Sequence, residues 1–393
     1  MYRTTKEISD EIAKESRTFR FYVISTDGNF YFDPERVFRA KSQRQSSSKS
    51  DDIELGAICS EQWEVEIYNL NENILGKEFR IYMYLADSTS TRVTYGELKK
   101  YTYGFLKQLT VSQIKKLGQK VGGGSLPFGE YICVKIQKNA ESSTVTFADR
   151  LYFSDKKYVP GVTFPASFSE VESDILNQLG LKNGCEYPFS KYLIDKNKKL
   201  LNAKGGAHLK TKSFYFEIEK LPSEDVTMRQ MLSYIASAMG QCGYVNRDGE
   251  YVRKWYGLDT DYYYDESRID TPTLGSANVI RGLKCKSGDT TFSKGLSEST
   301  KEGRVIEFEN PFMTEELMDL LYSTLTNNVT CLTNWQTAEI NLRLGDPRLD
   351  IMDTCMYKGN RMPVTSLAFS YDGGLSADIK TAGRNSAEEI IIK

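Results

Sequence analysis

A single histidine, His208, stands in the run Ala203-Lys204-Gly205-Gly206-Ala207-His208. Any Ser-His-Asp or Cys-His relay would have to be built on it. The neighbouring glycines make a poor platform for a catalytic base, so His208 reads as an exposed loop residue. No Gly-x-Ser-x-Gly elbow occurs. Carboxylates cluster twice. Asp259, Asp261, Asp265 and Glu266 surround Tyr262-Tyr263-Tyr264. A calcium loop needs a Gly at its sharp turn and a bidentate Glu at its end, and neither is there. This stretch reads as a solvated interdomain linker. Asp346, Asp350 and Asp353 form the second cluster. Two such acids facing each other across a cleft would suit glycoside hydrolysis. Asp346-Pro347 reads instead as a turn, with the acids capping it or lining a polar surface. No aromatic sugar platform adjoins them.

Phosphate and metal chemistry find no better footing. Gly122-Gly123-Gly124-Ser125 lacks the Lys of a phosphate-binding loop. The basic run Lys196–Lys199 is too short for nucleic acid and reads as an exposed turn. The seven cysteines are Cys59, Cys133, Cys185, Cys242, Cys285, Cys331 and Cys355, and no two form a C-x-x-C pair. Zinc-ribbon and thioredoxin-like sites are thereby excluded. The thiols are expected to be reduced and mostly buried, in a protein made in a reducing cytoplasm. No catalytic residue, cofactor site or metal site is expected. The chain reads as a scaffold or binding module.

The elements that would carry any site are mostly strands. At 393 residues, two to four domains fit. Twenty-five Tyr and 19 Phe favour strands and large interfaces. The net charge of −2 argues against coating nucleic acid, which needs a cationic surplus. No secretory leader is expected from the mixed-charge start MYRTTKEISDEIAKES, and no apolar run reaches the ~20 residues that span a bilayer.

A first β-rich domain is expected over 1–158. Phe19, Phe21 and Val23 alternate with Arg20, Tyr22 and Ile24, and Asp27-Gly28 offers a hairpin turn. Residues 41–52 (KSQRQSSSKSDD) read as a solvated Ser-rich loop. Trp63, Val65 and Ile67 then alternate with Glu64, Glu66 and Tyr68, and strands follow at Phe79–Leu85, Tyr131–Gln137 and Thr144–Leu151. Leu106–Leu117 reads as a short helical or irregular stretch.

A small α+β domain is expected over 159–262. Ser169 with Glu172 and Thr227 with Gln230 read as capping boxes of two helices, ending at Gly180 and Gly240. Phe214, Phe216 and Ile218 read as a strand, and a hairpin turns at Asp248-Gly249. A second β-rich domain is expected over 263–393. Its strands are Val279–Lys286, Arg304–Phe308, Thr337–Leu342, Thr354–Tyr357, Pro363–Tyr371 and Leu375–Ala382. One helix, near 314–326, carries Leu317, Leu320, Leu321 and Leu325. Turns are read at Gly359-Asn360 and Asp372-Gly373, and Ser386–Lys393 as a loose tail.

Five segments in order resemble one family, the phage tail baseplate hub proteins and the N-terminal hub region of tail-associated lysins (prophage endopeptidase-tail proteins). They are Leu126–Tyr131 with Ser143–Leu151; Val226–Ala236 with Gly240–Gly243 and Asn246–Gly249; Glu309–Phe312; Gly345–Asp353; and Asp372–Leu375 with Ala382–Arg384. In the fourth, Met352-Asp353 stands where the family pattern has Gly-Asp. The resemblance spans about 126 to 385, roughly two thirds of the chain.

The resemblance implies two β-barrel-like tube domains flanking the α+β domain, a β-rich α+β class overall. It implies a homotrimer whose six tube units join a sixfold tail tube to a threefold tip. The implied partners are the tail tube or a distal tail protein, a tip or spike protein, and the tape-measure protein. DNA would pass through the lumen without specific binding. The place is the virion tail tip, assembled in the bacterial host cytoplasm. Members that digest peptidoglycan carry the enzyme in an added C-terminal domain, and an end at Lys393 is expected to leave no room for one. Two other readings compete: a cell-wall hydrolase built from scattered acids, and a receptor- or carbohydrate-binding tip module using Tyr262–Tyr264.

Overall fold

The computed structural model describes residues 2–4, 6–14, 18–45, 54–85, 107, 125–185, 217–255, 262–263, 268–270, 273–295, 304–327, 334–357 and 360–381. His208, Lys196–Lys199, Gly122–Gly124, Asp259, Asp261, Asp265, Glu266, Phe214, Phe216, Ser386–Lys393 and nearly all of 106–117 lie outside them.

After helix α1 (Lys6–Ala13) come strands β1 (Phe19–Ser25), β2 (Tyr31–Phe32), β3 (Val37–Gln45), β4 (Ile58–Cys59), β5 (Gln62–Tyr68), β6 (Glu78–Leu85), β7 (Ser125–Lys138) and β8 (Ser142–Ala148). The middle holds β9 (Ala166–Ser167), α2 (Phe168–Leu179), β10 (Lys182–Asn183), β11 (Glu217–Ile218), α3 (Met228–Ala238), β12 (Cys242–Val245) and β13 (Glu250–Lys254). The last part holds β14 (Tyr262–Tyr263), β15 (Thr273–Ser287), β16 (Thr290–Lys294), β17 (Arg304–Glu309), α4 (Glu315–Asn327), β18 (Asn334–Leu342), β19 (Thr354–Tyr357), β20 (Asn360–Asp372) and β21 (Leu375–Thr381).

The β-rich α+β class holds. One 15-stranded sheet runs β16-β15-β18-β21-β20-β3-β5-β8-β7-β6-β1-β2, with β14, β17 and β19 off this path. It crosses from the last part of the chain to the first where β20 pairs antiparallel with β3. The pairings form an open path, and among the described strands none closes a barrel. A four-stranded sheet, β10-β13-β12-β4, serves the middle, and its edge strand β4 is lent by the first part.

Period-2 alternation sets the core. Trp63, Val65 and Ile67 are buried from β5, and Leu367, Phe369 and Tyr371 from β20. Rings from both ends of the chain share this core: Trp63 and Phe128 centroids are 4.8 Å apart, Phe128 and Phe369 5.5 Å, Phe21 and Tyr371 4.7 Å. The other face of β1 is covered as well. Tyr22 stacks on Tyr82 at 5.0 Å, with Tyr31 and Tyr84 around it. The Asp27-Gly28 turn lets β1 pair with β2, with Gly28 at φ 72°.

Three expectations need correction. Lys41–Gln45 is not loop but the second half of β3, because Ser42 and Arg44 find buried partners on its inward face. The capping box of α2 is Ser167 with Glu170, not Ser169 with Glu172. Ser167 has the extended backbone a cap needs, whereas Glu172 is buried against Arg253, Nε to Oε1 2.7 Å. Tyr262–Tyr263 is not solvated linker but β14, which pairs parallel with Cys355-Met356 of β19. The Thr227–Gln230 box and the αL glycines Gly180 and Gly240 are where the spacing puts them.

Gly56 locks β4 against α3. Its φ is +84°, and a Cβ there would lie 2.6 Å from the Ser233 carbonyl oxygen and the Ser237 Cβ. Gly56→Ala therefore combines backbone strain with overpacking. The expected loss is about 3 kcal/mol, read as a lower urea midpoint at unchanged m-value.

Candidate functional site

The residues with the most unusual placement form a buried ionic junction rather than an open active site. On β3, Ala40, Ser42 and Arg44 share the inward face while Lys41 is exposed. That phase drives a guanidinium into the interior, where Arg44 is 6% exposed. A buried cation must be paired and hydrogen-bonded. Arg44 Nη2 donates to the carboxylate of Glu61 and, at 3.1 Å, to the Val245 carbonyl of β12. Nη1 donates to Asp350 at 2.7 Å. Its flat face lies 5.6 Å from the Tyr244 ring. One side chain thus touches all three parts of the chain.

The polar shell around it is dense. The Tyr131 hydroxyl lies 2.7 Å from Glu61 and accepts from the Trp63 indole N–H at 3.0 Å. Asp149 accepts from the Glu61 backbone N–H at 2.7 Å and the Ser60 hydroxyl at 2.9 Å. Burial raises the Glu61 carboxyl above its ordinary range, and the Arg44 charge and the Tyr131 hydrogen bond pull it back only in part. Burial raises Asp149 too, against the pull of the Glu61 N–H. A second clasp lies beside the first. Arg247 donates to the Leu349 carbonyl at 2.8 Å and stands 5.1 Å from the centroids of Phe128 and Tyr2.

The three acids weighed as a hydrolytic pair are all engaged. Asp350 holds Arg44. Asp353 is fully buried, pairs with Lys254 at 3.1 Å and accepts the Asp350 N–H at 2.8 Å. Asp346 accepts from the Arg348 backbone N–H at 3.0 Å, which is the turn-capping role expected of it. Asp346 and Asp353 are nevertheless interior, not part of a polar surface. The Ser60–Glu61 stretch was not singled out from sequence. Its phase was legible, since Glu61 shares the inward face with Trp63 and Val65.

A polar cleft of about 750 Å3 opens on the other face of the sheet, among Lys41, Gln43, Glu64, Arg229, Ser370 and Asp378. The Arg229 guanidinium is already bonded to the carbonyls of Ile58, at 2.6 Å, and Leu151, at 2.9 Å. Ser60 lines the cleft, and its hydroxyl donates to Asp149. Among the described residues no group of His, Cys, Asp or Glu is placed to hold a metal ion. Five of the six described cysteines are buried, and burial pushes Cys242 up to about 12. No described helix is long and apolar enough to cross a membrane.

No protein-family model matches this sequence, and no curated protein matches it. Solved structures do share its fold. The 43 kDa tail protein of prophage MuSo2 from Shewanella oneidensis superposes with a TM-score of 0.53 at 9% identity, over 93% of this chain and 98% of that one. The tail protein from Neisseria meningitidis MC58 gives 0.54 at 8% identity, over 93% and 97%. At such identities the likeness is one of fold.

Arg44→Met strands Glu61 and Asp350 without their cation, and the expected cost is about 3–5 kcal/mol. The triple change Arg44→Met/Glu61→Gln/Asp350→Asn should recover much of it, measured by urea unfolding. The deficit of Arg44→Met also has a pH sign. Without the guanidinium the folded-state pKa of Glu61 lies further above its unfolded value. Stability present below the unfolded pKa is then lost as pH rises through the folded one, so the deficit is larger near neutrality than in mild acid.

Proposed function

We propose that this chain is a structural baseplate hub or tail-tip protein of a phage or phage-like particle. In this reading it forms a homotrimer that joins a sixfold tail tube to a threefold tip or spike, and it catalyses nothing. The single observation that carries the reading is a fold shared end to end with two tail proteins, over 97% or more of each of them. The strand-rich first and last parts would be the barrel-like tube domains, and the α+β part would sit outside the tube. Copies would meet through the strand edges that stand at β2 and β16 among the described strands, which suits an assembly closed by symmetry. Its partners would be the tail tube or a distal tail protein, the tip or spike protein, and the tape-measure protein. DNA would pass through the lumen without specific binding, in keeping with a net charge of −2. Its place would be the virion tail tip, assembled in the bacterial host cytoplasm.

Native mass over a range of concentrations tests this. Three chains of 44.7 kDa make ~134 kDa, and negative stain should show a ring with a central hole. A chain that stays monomeric at high concentration and with its tube protein present overturns the trimer. A peptidoglycan zymogram is expected to stay uncleared, and clearing would move the reading to a cell-wall hydrolase.

A further inference from the structure

Glu61 and Tyr131 meet in a geometry that allows two hydrogen-bond arrangements. The Tyr131 hydroxyl has two acceptors in reach, Glu61 Oε2 at 2.7 Å and the Phe128 carbonyl at 3.0 Å. It has one hydrogen and serves one of them at a time. The Phe128 carbonyl stands off the sheet ladder. The β6–β7 register steps from Ile81↔Gly129 to Tyr82↔Pro127, which leaves Phe128 in a bulge. With Glu61 ionised, the phenol must point at the carboxylate, and the bulge carbonyl loses that donor. With Glu61 protonated, the acid donates to the Tyr131 oxygen and the phenol turns to Phe128. The second arrangement gives the Phe128 carbonyl a donor and removes a buried negative charge, and every group in it is buried.

Charge points the same way. Glu61 faces Arg44 of β3, Tyr131 of β7, Asp149 after β8, and Asp350. One guanidinium therefore serves three carboxylates. Asp149 has donors of its own in the Glu61 N–H, the Ser60 hydroxyl and the Tyr152 N–H, and Asp350 has the Ile351 N–H at 2.9 Å. Among the described residues, only the side chains of Arg44 and Tyr131 donate to the Glu61 carboxylate.

We propose that Glu61 is a proton-operated latch: a proton bound there turns the Tyr131 hydroxyl from Glu61 to Phe128 and leaves Arg44 to Asp350 and the Val245 carbonyl. One proton comes from solvent and the phenol keeps its own. Folding stability then rises as pH falls into mild acid, while Arg44 keeps its links to the last part at Asp350 and to the middle part at Val245. The raised Glu61 carboxyl agrees in sign. A folded pKa above the unfolded one means stability that is present below the unfolded pKa and lost as pH rises through the folded one.

The test compares wild type, Glu61→Gln and Tyr131→Phe in urea unfolding between about pH 5 and about pH 8. Gln is a fixed stand-in for the protonated acid, so Glu61→Gln should gain on wild type as pH rises. Their ratio of unfolding constants should change about tenfold for each unit by which the folded pKa exceeds the unfolded one. A ratio that stays constant overturns the latch. Trp63 donates to the same phenol, so native tryptophan emission of the wild type should show a one-proton step above the ordinary glutamate range. That step should vanish in Tyr131→Phe. A wild type with no step overturns the proposal even where the variants fail to fold.

Discussion

A guanidinium taken out of water must be answered wherever it lands, and in this protein it lands where three parts of the chain meet. Arg44 comes from the first part, its neutralising acids from the first and last, and a carbonyl partner and a ring from the middle. Desolvating such a group costs several kcal/mol, so the pair need add no net stability. Its effect is on alternatives. Any arrangement that moved one part relative to the others would leave a buried charge without its partner.

The apolar packing repeats that logic with less directional force. Trp63, Phe128, Phe21, Phe369 and Tyr371 bring both ends of the chain into one core, next to the seam where β20 joins β3. Arg247 lies over Phe128 while bonding the Leu349 carbonyl, so a cation from the middle part spans that core's rim. Gly56 brings β4 onto α3 at backbone contact distance, which fastens the small sheet to the first part. Apolar contact, ion pairs and strand exchange therefore join the same three parts.

Asp346, Asp350 and Asp353 are all engaged by neighbouring cations or N–H groups. A titratable buried junction adds one adjustable element to an otherwise fixed frame. Proton occupancy there changes the hydrogen bonds behind Arg44 within the first part, while its links to the other two parts remain.

Local features were legible from the residues alone. The Thr227–Gln230 box, the glycines Gly180 and Gly240, the Asp27-Gly28 turn and the Trp63/Val65/Ile67 alternation each rest on contacts within a few residues or on period alone. The cap read at Ser169 with Glu172 belongs instead to Ser167 with Glu170, because Arg253, 81 residues away, holds Glu172 in the interior. The tract from Lys41 read as loop for the same reason: its polar residues make sense in a strand only once Asp350, 306 positions on, is opposite Arg44. Sequence by itself determined the strand-rich class, the Thr227–Gln230 cap and the glycines that end α2 and α3. Tertiary structure alone decided the joining of the two ends into one sheet and the meeting of Arg44, Glu61 and Asp350. Ion pairs and strand partners are selected by proximity in space, and no periodicity along the chain records that.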